Sequence, residues 1–281
     1  MIGAAKAHSR EGRAIGTDRA LAHRAGKSRL AIWVSVARRH LRILGSVLAV
    51  RIHVSFTPAE PVDAPLAVVI DVLRATSTIT QALASGYERV LCCTEIEEAR
   101  TLAGQNSPAV LGGERKCVHI PGFDFGNSPR EYLGEPAAPT LVLSTTNGTR
   151  LLVTAAAHSE RVLVASLLNL EALIAAVRSD GSDELAILCA GVRGELCLDD
   201  AYVAGRIAEL LDGDHTDSAM AAIRLARSFA SAEDGLSVSQ SARNLIDANL
   251  AEDISYCARE SILPVVPRLA GTVGTGVEVT L

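Results

Sequence analysis

Residues Leu66-Ala-Val-Val-Ile70 are a short, continuous apolar run, the pattern of a strand buried on both faces. Asp71 ends the run, so a carboxylate is delivered to the carboxyl edge of a sheet. Arg74, Thr76, Ser77 and Thr78 follow, and then a helical pattern through Ile79, Leu83 and Ala84, with Thr76 or Ser77 as the N-cap. A strand, an Asp, an Arg, a hydroxyl cluster and a helix start together suit a phosphate ester with a divalent cation. The helix N–H groups and the Arg would hold the anion, and the Asp would hold the metal. The competing reading is a capped helix with a solvated Arg. Recurrence of the device along the chain favours the first.

The recurrence is visible in order. Ile52, Val54 and Phe56 alternate as a strand, and Pro58, Pro61 and Pro65 mark a loop. Arg89–Cys93 reads as a strand and Ile96–Ala103 as a helix capped by Thr94. Ala109–Leu111 is a short strand running into a long loop-like segment, 112–134, which presents Glu114, Arg115, Asp124, Asn127 and Ser128. Thr140–Ser144 is a strand, Thr145-Thr-Asn-Gly-Thr149 a turn whose N–H groups can face an anion, and Leu151–Ala157 the start of a helix. Val162–Ala165 with the helix after Asn169, and Leu185–Cys189 with the helix opened by Asp199 and Asp200, complete the series. Helices at 219–230 and 245–250 and a last strand at Ile262–Val266 are expected before a Gly-rich tail. Alternating strands and helices indicate an α/β protein. Its sheet is mixed or mostly parallel, layered with helices, in one body or two subdomains. In such folds the carboxyl ends of neighbouring strands converge on one crevice, which would gather Asp71, Glu114, Thr145 and Arg193.

The net charge of −5 hides an asymmetry: residues 1–51 carry 11 of the 27 Lys and Arg but only Glu11 and Asp18 as acids. Residues 1–49 read as a basic, unstructured or dispensable extension, with an amphipathic helical pattern over 29–50 too interrupted by charge to span a membrane. Residues 50–281 are the working domain. That acidic body, with 3% aromatics, does not suit nucleic acid, by charge or by stacking. Six cysteines without any CxxC, and no secretory signal, point to a reducing cytoplasm.

Several phosphate-handling signatures are absent: GxxxxGK[ST], a Cys with Arg six residues later, Asp-x-Asp and Arg-His-Gly. Phosphoryl chemistry here must therefore rest on carboxylates, a metal, Arg and hydroxyls. In order and spacing, five segments resemble the 2-phosphosulfolactate phosphatase family over roughly 51–270: Asp71-Val-Leu-Arg-Ala-Thr-Ser-Thr78, Gly113-Glu-Arg115, Gly122-Phe-Asp-Phe-Gly-Asn-Ser-Pro129, Thr145–Thr149, and Cys189-Ala-Gly191 with Leu198-Asp-Asp200. Ala251-Glu-Asp-Ile254 and Val265-Val-Pro267 resemble its C-terminal segments. Ser239-Gln-Ser-Ala-Arg243 departs from it, standing where the family usually shows a Ser-rich segment with His and Gly before the Arg. The resemblance implies a Mg²⁺-dependent phosphoric monoester hydrolase that converts 2-phospho-3-sulfolactate to 3-sulfolactate and phosphate, a step on one route to coenzyme M.

The expected site follows. Asp71, Glu114 and Asp200 hold Mg²⁺, with Asp124 as a further candidate. Asp71, Arg74 and Asp124 form the catalytic set, and Asp71 and Asp124 are the alternative bases. Thr76, Ser77, Arg115, Asn127, Ser128 and the turn Thr145, Thr146, Asn147, Gly148 and Thr149 bind phosphate and substrate, and Arg193 meets a second anionic group. The partner is a small phosphorylated acid, and a homodimer is one assembly the chain allows. The rival readings are a phosphatase for another small phosphorylated acid and a non-catalytic anion-binding or regulatory protein.

Overall fold

The computed structural model describes residues 49–60 and 62–281. The basic extension, including the helical pattern expected over 29–50, lies outside the described residues apart from its last two positions. Strand β2 (Leu66–Ile70) is buried at every position. Its Leu66, Val68 and Ile70 pack into one apolar cluster, and Ala67 and Val69 into another on the opposite face. The apolar run therefore is a doubly covered strand, as its composition requires.

The other strands are β1 (Arg51–Ser55), β3 (Arg89–Cys93), β4 (Ala109–Arg115), β5 (Val118–His119), β6 (Thr140–Ser144), β7 (Arg161–Ala165), β8 (Glu184–Cys189), β9 (Asp214–His215), β10 (Arg268–Val273) and β11 (Gly276–Thr280). The helices are α1 (Ala75–Ala84), α2 (Ile96–Gln105), α3 (Gly148–His158), α4 (Leu170–Asp180), α5 (Leu198–Leu210), α6 (Asp217–Ala226), α7 (Ala232–Ser237), α8 (Gln240–Asp247) and α9 (Glu252–Cys257). Short 3₁₀ turns lie at Pro129–Tyr132 and Leu167–Asn169.

The sheet order is β5-β4-β6-β3-β11-β10-β7-β2-β8-β1-β9. It contains two parallel blocks, β4-β6-β3 and β7-β2-β8-β1-β9. The antiparallel hairpin β10–β11 lies between them and pairs with both. One face is covered by α4, α5 and α6, through Leu173, Val203, Ile207 and Ile223. The other carries α1 and α3, through Ile79, Leu83, Leu151 and Leu152. Within each block the strands run parallel, β4 with β6 and β2 with β8, while three successive antiparallel pairings across the hairpin set the two blocks in opposite directions.

Three expectations change. β4 does not stop at Leu111: Gly112 and Gly113 continue its pairing with Leu143 and Ser144. The chain then reverses through Lys116 and Cys117, both at positive φ, into β5. Two glycines carry no side-chain pattern, so the ladder was invisible to periodicity. Ile262–Val266 is not a strand. It runs alongside the Leu167–Asn169 turn, with Ser261 and Leu263 N–H groups donating to Leu167 and Leu168 carbonyls. The last strands are β10 and β11, within the Gly-rich tail. Finally, the late helix occupies 240–247 rather than 245–250, because Asn249 turns into the left-handed region.

The hairpin insertion depends on a close approach. A Cβ added at Gly276 would lie 1.9 Å from the Cys92 carbonyl oxygen, against backbone that cannot move independently of β3. Gly276→Ala should therefore cost about 2 kcal/mol or more, read as a fall in Tm of ~4 °C or more. An unchanged melt would show that the two blocks do not need this contact.

Candidate active site

The carboxyl-end crevice is a cavity of about 400 Å³, within the range of small-molecule sites. Asp71, Arg74, Glu114, Asn127, Thr145, Thr146, Asn147, Arg193 and Asp200 all line it. These come from the ends of β2, β4, β6 and β8 and from the long segment before the Pro129–Tyr132 turn. Residues not singled out beforehand also line it: Lys116 and Cys117 from the β4–β5 reversal, and Ser241, Asn244 and Asp247 from α8. The reversal depends on backbone conformations that sequence periodicity does not show. The polar groups of α8 were visible but carried no motif.

Asp71 sits at the floor. Its carboxylate accepts from the Ala75 N–H at 3.4 Å and from the Gly148 N–H, the starts of α1 and α3. A Cβ at Gly148 would lie 2.8 Å from Asp71 Oδ2 and 2.6 Å from Ala75 Cβ, so only glycine lets α3 come this near. Burial, then the charges of Asp199 and Glu114, push the Asp71 carboxyl up to about 7. Burial likewise raises Asp199 and Asp200. Asp200 accepts from the Val72 N–H through Oδ1 and from the Gly191 N–H through Oδ2, each at 2.9 Å. It stitches the end of β2 to the loop after β8.

Arg74 is buried and donates through Nη1 to Asp253 Oδ2 at 2.6 Å. Asp253 is itself fully buried and accepts from Ser128 Oγ at 2.6 Å. Asn127 is buried, and its Oδ1 is an unpartnered acceptor; a buried acceptor of this kind calls for a ligand. Thr145 and Thr149 share a hydroxyl contact at 3.1 Å at the entry to α3. At the mouth, Lys116 and Arg193 are exposed, and among the described residues neither makes an ion pair or a side-chain hydrogen bond.

Several expected residues do other work. Arg74, not Thr76 or Ser77, is the N-cap residue of α1. Thr76 Oγ1 accepts from the Asp71 N–H, and Ser77 Oγ donates to the Val72 carbonyl. Both hydroxyls point inward and lock the strand-to-helix turn, and the Thr76 N–H is taken by the Asp71 carbonyl. The first N–H groups of α1 are thus used by Asp71 itself. Arg115 faces away from the cavity and donates to Thr94, Glu114 and Ser144 carbonyls and to Ser144 Oγ, tying the ends of β3, β4 and β6. Asp124 is exposed, lies off the cavity and accepts from the Leu111 N–H at 2.8 Å, holding the long segment to β4. Ser128 contacts Asp253 and caps the Pro129–Tyr132 turn.

Among the described residues no three His, Cys, Asp or Glu side chains converge as a metal cage. The donors lining the cavity are nonetheless hard oxygens, those of Asp71 and Glu114, which interact electrostatically across it. This set fits Mg²⁺, which takes one or two carboxylates and completes its shell with phosphate oxygens and water. Burial raises the Cys117 thiol above its ordinary value, which disfavours the thiolate.

An acidic floor, a buried Arg and two unpaired cations at the mouth make an α/β protein whose crevice suits a small, multiply charged acid. A family profile described as 2-phosphosulfolactate phosphatase matches residues 54–272. A probable 2-phosphosulfolactate phosphatase of Thermus thermophilus is 38% identical over 230 residues, covering 80% of this chain and 96% of the relative. The protein of the same description from Thermotoga petrophila is 37% identical over 225 residues, covering 79% and 96%. One from Clostridium perfringens is 34% identical over 243 residues, covering 82% and 98%. The chain belongs to the 2-phosphosulfolactate phosphatase family.

The raised Asp71 carboxyl gives a pH test. Its folded pKa lies above the unfolded value of about 3.9, so its stabilising protonated form is complete below that value. The contribution is lost as pH rises through about 7. Metal-free protein should lose roughly 2–4 kcal/mol between pH 5 and pH 8, and Asp71→Asn should flatten that slope. Melts in EDTA at the two pH values decide it: equal stability at both would remove the buried-charge account of the floor.

Proposed function

We propose that this protein is a Mg²⁺-dependent phosphatase that hydrolyses 2-phospho-3-sulfolactate to 3-sulfolactate and phosphate. The observation that carries the reading is the placement of Asp71, Glu114, Arg74 and Asn127 around one cavity, in a chain whose relatives bear that description along nearly their whole length. Arg74 and the Thr145–Asn147 turn grip the phosphoryl group, and Arg193 and Lys116 meet the carboxylate and sulfonate at the mouth. Asp71 and Glu114 would hold the cation, which neutralises charge on the phosphoryl oxygens when bound. Asp71, the one of the two expected bases that lines the cavity, accepts the proton of the attacking water. Asp124 has no part in this, since it lies off the cavity.

No helix among the described residues is long and apolar enough to cross a membrane. The six cysteines are all free and five are buried, which suits a reducing cytoplasm. There the 3-sulfolactate product would feed a route to coenzyme M. A second substrate reading has one specific support. Ser241, inside the segment that departs from the family pattern, lines the cavity, so substrate choice can differ there. Phosphate release from a panel of small phosphorylated acids separates the two readings, and ligand stabilisation without any turnover would make the protein a binder.

EDTA should abolish turnover and Mg²⁺ should restore it; full activity in rigorously metal-free protein would defeat the metal assignment. Arg74→Lys keeps the charge but loses the planar fork. It should lower kcat/KM by ~10²-fold or more, about 3 kcal/mol of transition-state stabilisation. Because Arg74 is buried in an ion pair with Asp253, the variant should also melt earlier, so kinetics belong well below its Tm. Near wild-type kcat/KM would make Arg74 purely structural.

A further inference from the structure

We propose that Asp253 is a positioning residue that aims the Arg74 guanidinium at the phosphoryl group, and that Ser128 fixes Asp253 in turn. This rests on the phosphatase reading and adds a residue from a distant part of the chain. Asp253 lies on α9, 179 residues from Arg74. Its side chain is fully buried, away from the cavity lining. It cannot touch the substrate, yet each of its oxygens is committed. Oδ2 accepts from Arg74 Nη1 at 2.6 Å and Oδ1 from Ser128 Oγ at 2.6 Å.

The geometry divides the Arg74 donors. Nη1 is spent on Asp253, and no protein acceptor takes the others among the described residues, while the side chain borders the cavity. A guanidinium anchored at one corner has little rotamer freedom left to lose when an anion arrives, which favours binding by pre-organisation. The anchor is itself anchored. Ser128 follows Asn127, which lines the same cavity. Helix α9 is also held to the Pro129–Tyr132 turn by the Arg130–Glu252 ion pair and by Arg130 Nη1 3.9 Å from Asp253 Oδ1. One carboxylate thus fixes the Arg and the Asn segment relative to each other. A surface ion pair would not do this, because it would be screened and mobile.

The test compares Asp253→Asn and Ser128→Ala with wild type. Glu260→Gln, which breaks the Arg206–Glu260 pair on another part of the surface, is the control for simple loss of an ion pair. Inorganic phosphate is the probe, its affinity measured by titration at a temperature where each protein is folded, alongside steady-state kinetics. Asp253→Asn should bind phosphate at least tenfold more weakly and lose at least 10²-fold in kcat/KM, and Glu260→Gln should change neither by more than twofold. Ser128→Ala keeps both charges paired and should weaken phosphate binding threefold to tenfold, so it serves where Asp253→Asn does not fold. Phosphate affinity within twofold of wild type in either folded variant overturns the proposal. Wild-type protein that binds phosphate but hydrolyses no phosphate ester overturns the phosphatase reading alone, and wild type that does not bind phosphate overturns both.

Discussion

Asp199 and Asp200 are buried beside the half-buried Asp71 at the carboxyl end of β2, and the buried guanidinium nearby is already neutralised by Asp253. Burying carboxylates without a cation costs more than the fold can offset, so the charge must be cancelled by protons or by a bound ion. The surrounding structure is arranged around that fact. Backbone N–H groups from Val72, Ala75, Gly148 and Gly191 all converge on these carboxylates. These bonds stabilise the charged forms, but burial still outweighs them. What remains is a floor whose carboxyls are pushed toward their protonated forms, a pressure that a bound cation would relieve.

The same arrangement explains why helix starts do not grip the anion here. At α1 the chain folds back on Asp71, whose main-chain and side-chain oxygens consume the first N–H groups. The hydroxyls of Thr76, Ser77 and Thr80 are likewise satisfied within the turn and helix. Binding capacity is left to groups with donors or acceptors to spare: Arg74, Asn127, Arg193, Lys116 and the turn before α3. A hydroxyl-rich stretch thus served the packing of a buried helix start, and the neighbouring Arg borders the cavity.

This separates what the sequence could show from what it could not. Strands β2, β3 and β6 stood at their observed limits because each is an uninterrupted apolar run with one buried environment along its length. The gathering of Asp71, Glu114, Thr145 and Arg193 in one cavity was legible, but the reason for it was not, since the two parallel blocks run in opposite directions. Side-chain direction was not legible. Arg115 stands next to Glu114 but turns away from the cavity, as neighbouring residues of a strand must. Asp124 lies in a segment whose path is set by its bonds to β4. The hairpin β10–β11 was missed because its alternation includes Gly271, Gly274 and Gly276, and a glycine reads as a loop until a neighbouring backbone requires it.

An acidic pocket in an acidic body is a poor place for an acidic ligand unless two conditions hold together. The ligand must bring its own counter-charge to the floor, and the protein must offer cations where the floor does not reach. Arg193 and Lys116 meet the second condition: they sit on two different loops at the mouth, exposed and without partners among the described residues. Asp71 and Glu114 would meet the first by holding a divalent cation, which would supply charge neutralisation for the phosphoryl group. Cation and anionic ligand would then stabilise each other's binding, because each relieves the repulsion the other would meet alone. The carboxylate floor that makes the empty pocket costly would thus make occupancy by a cation and by an anionic ligand conditional on each other.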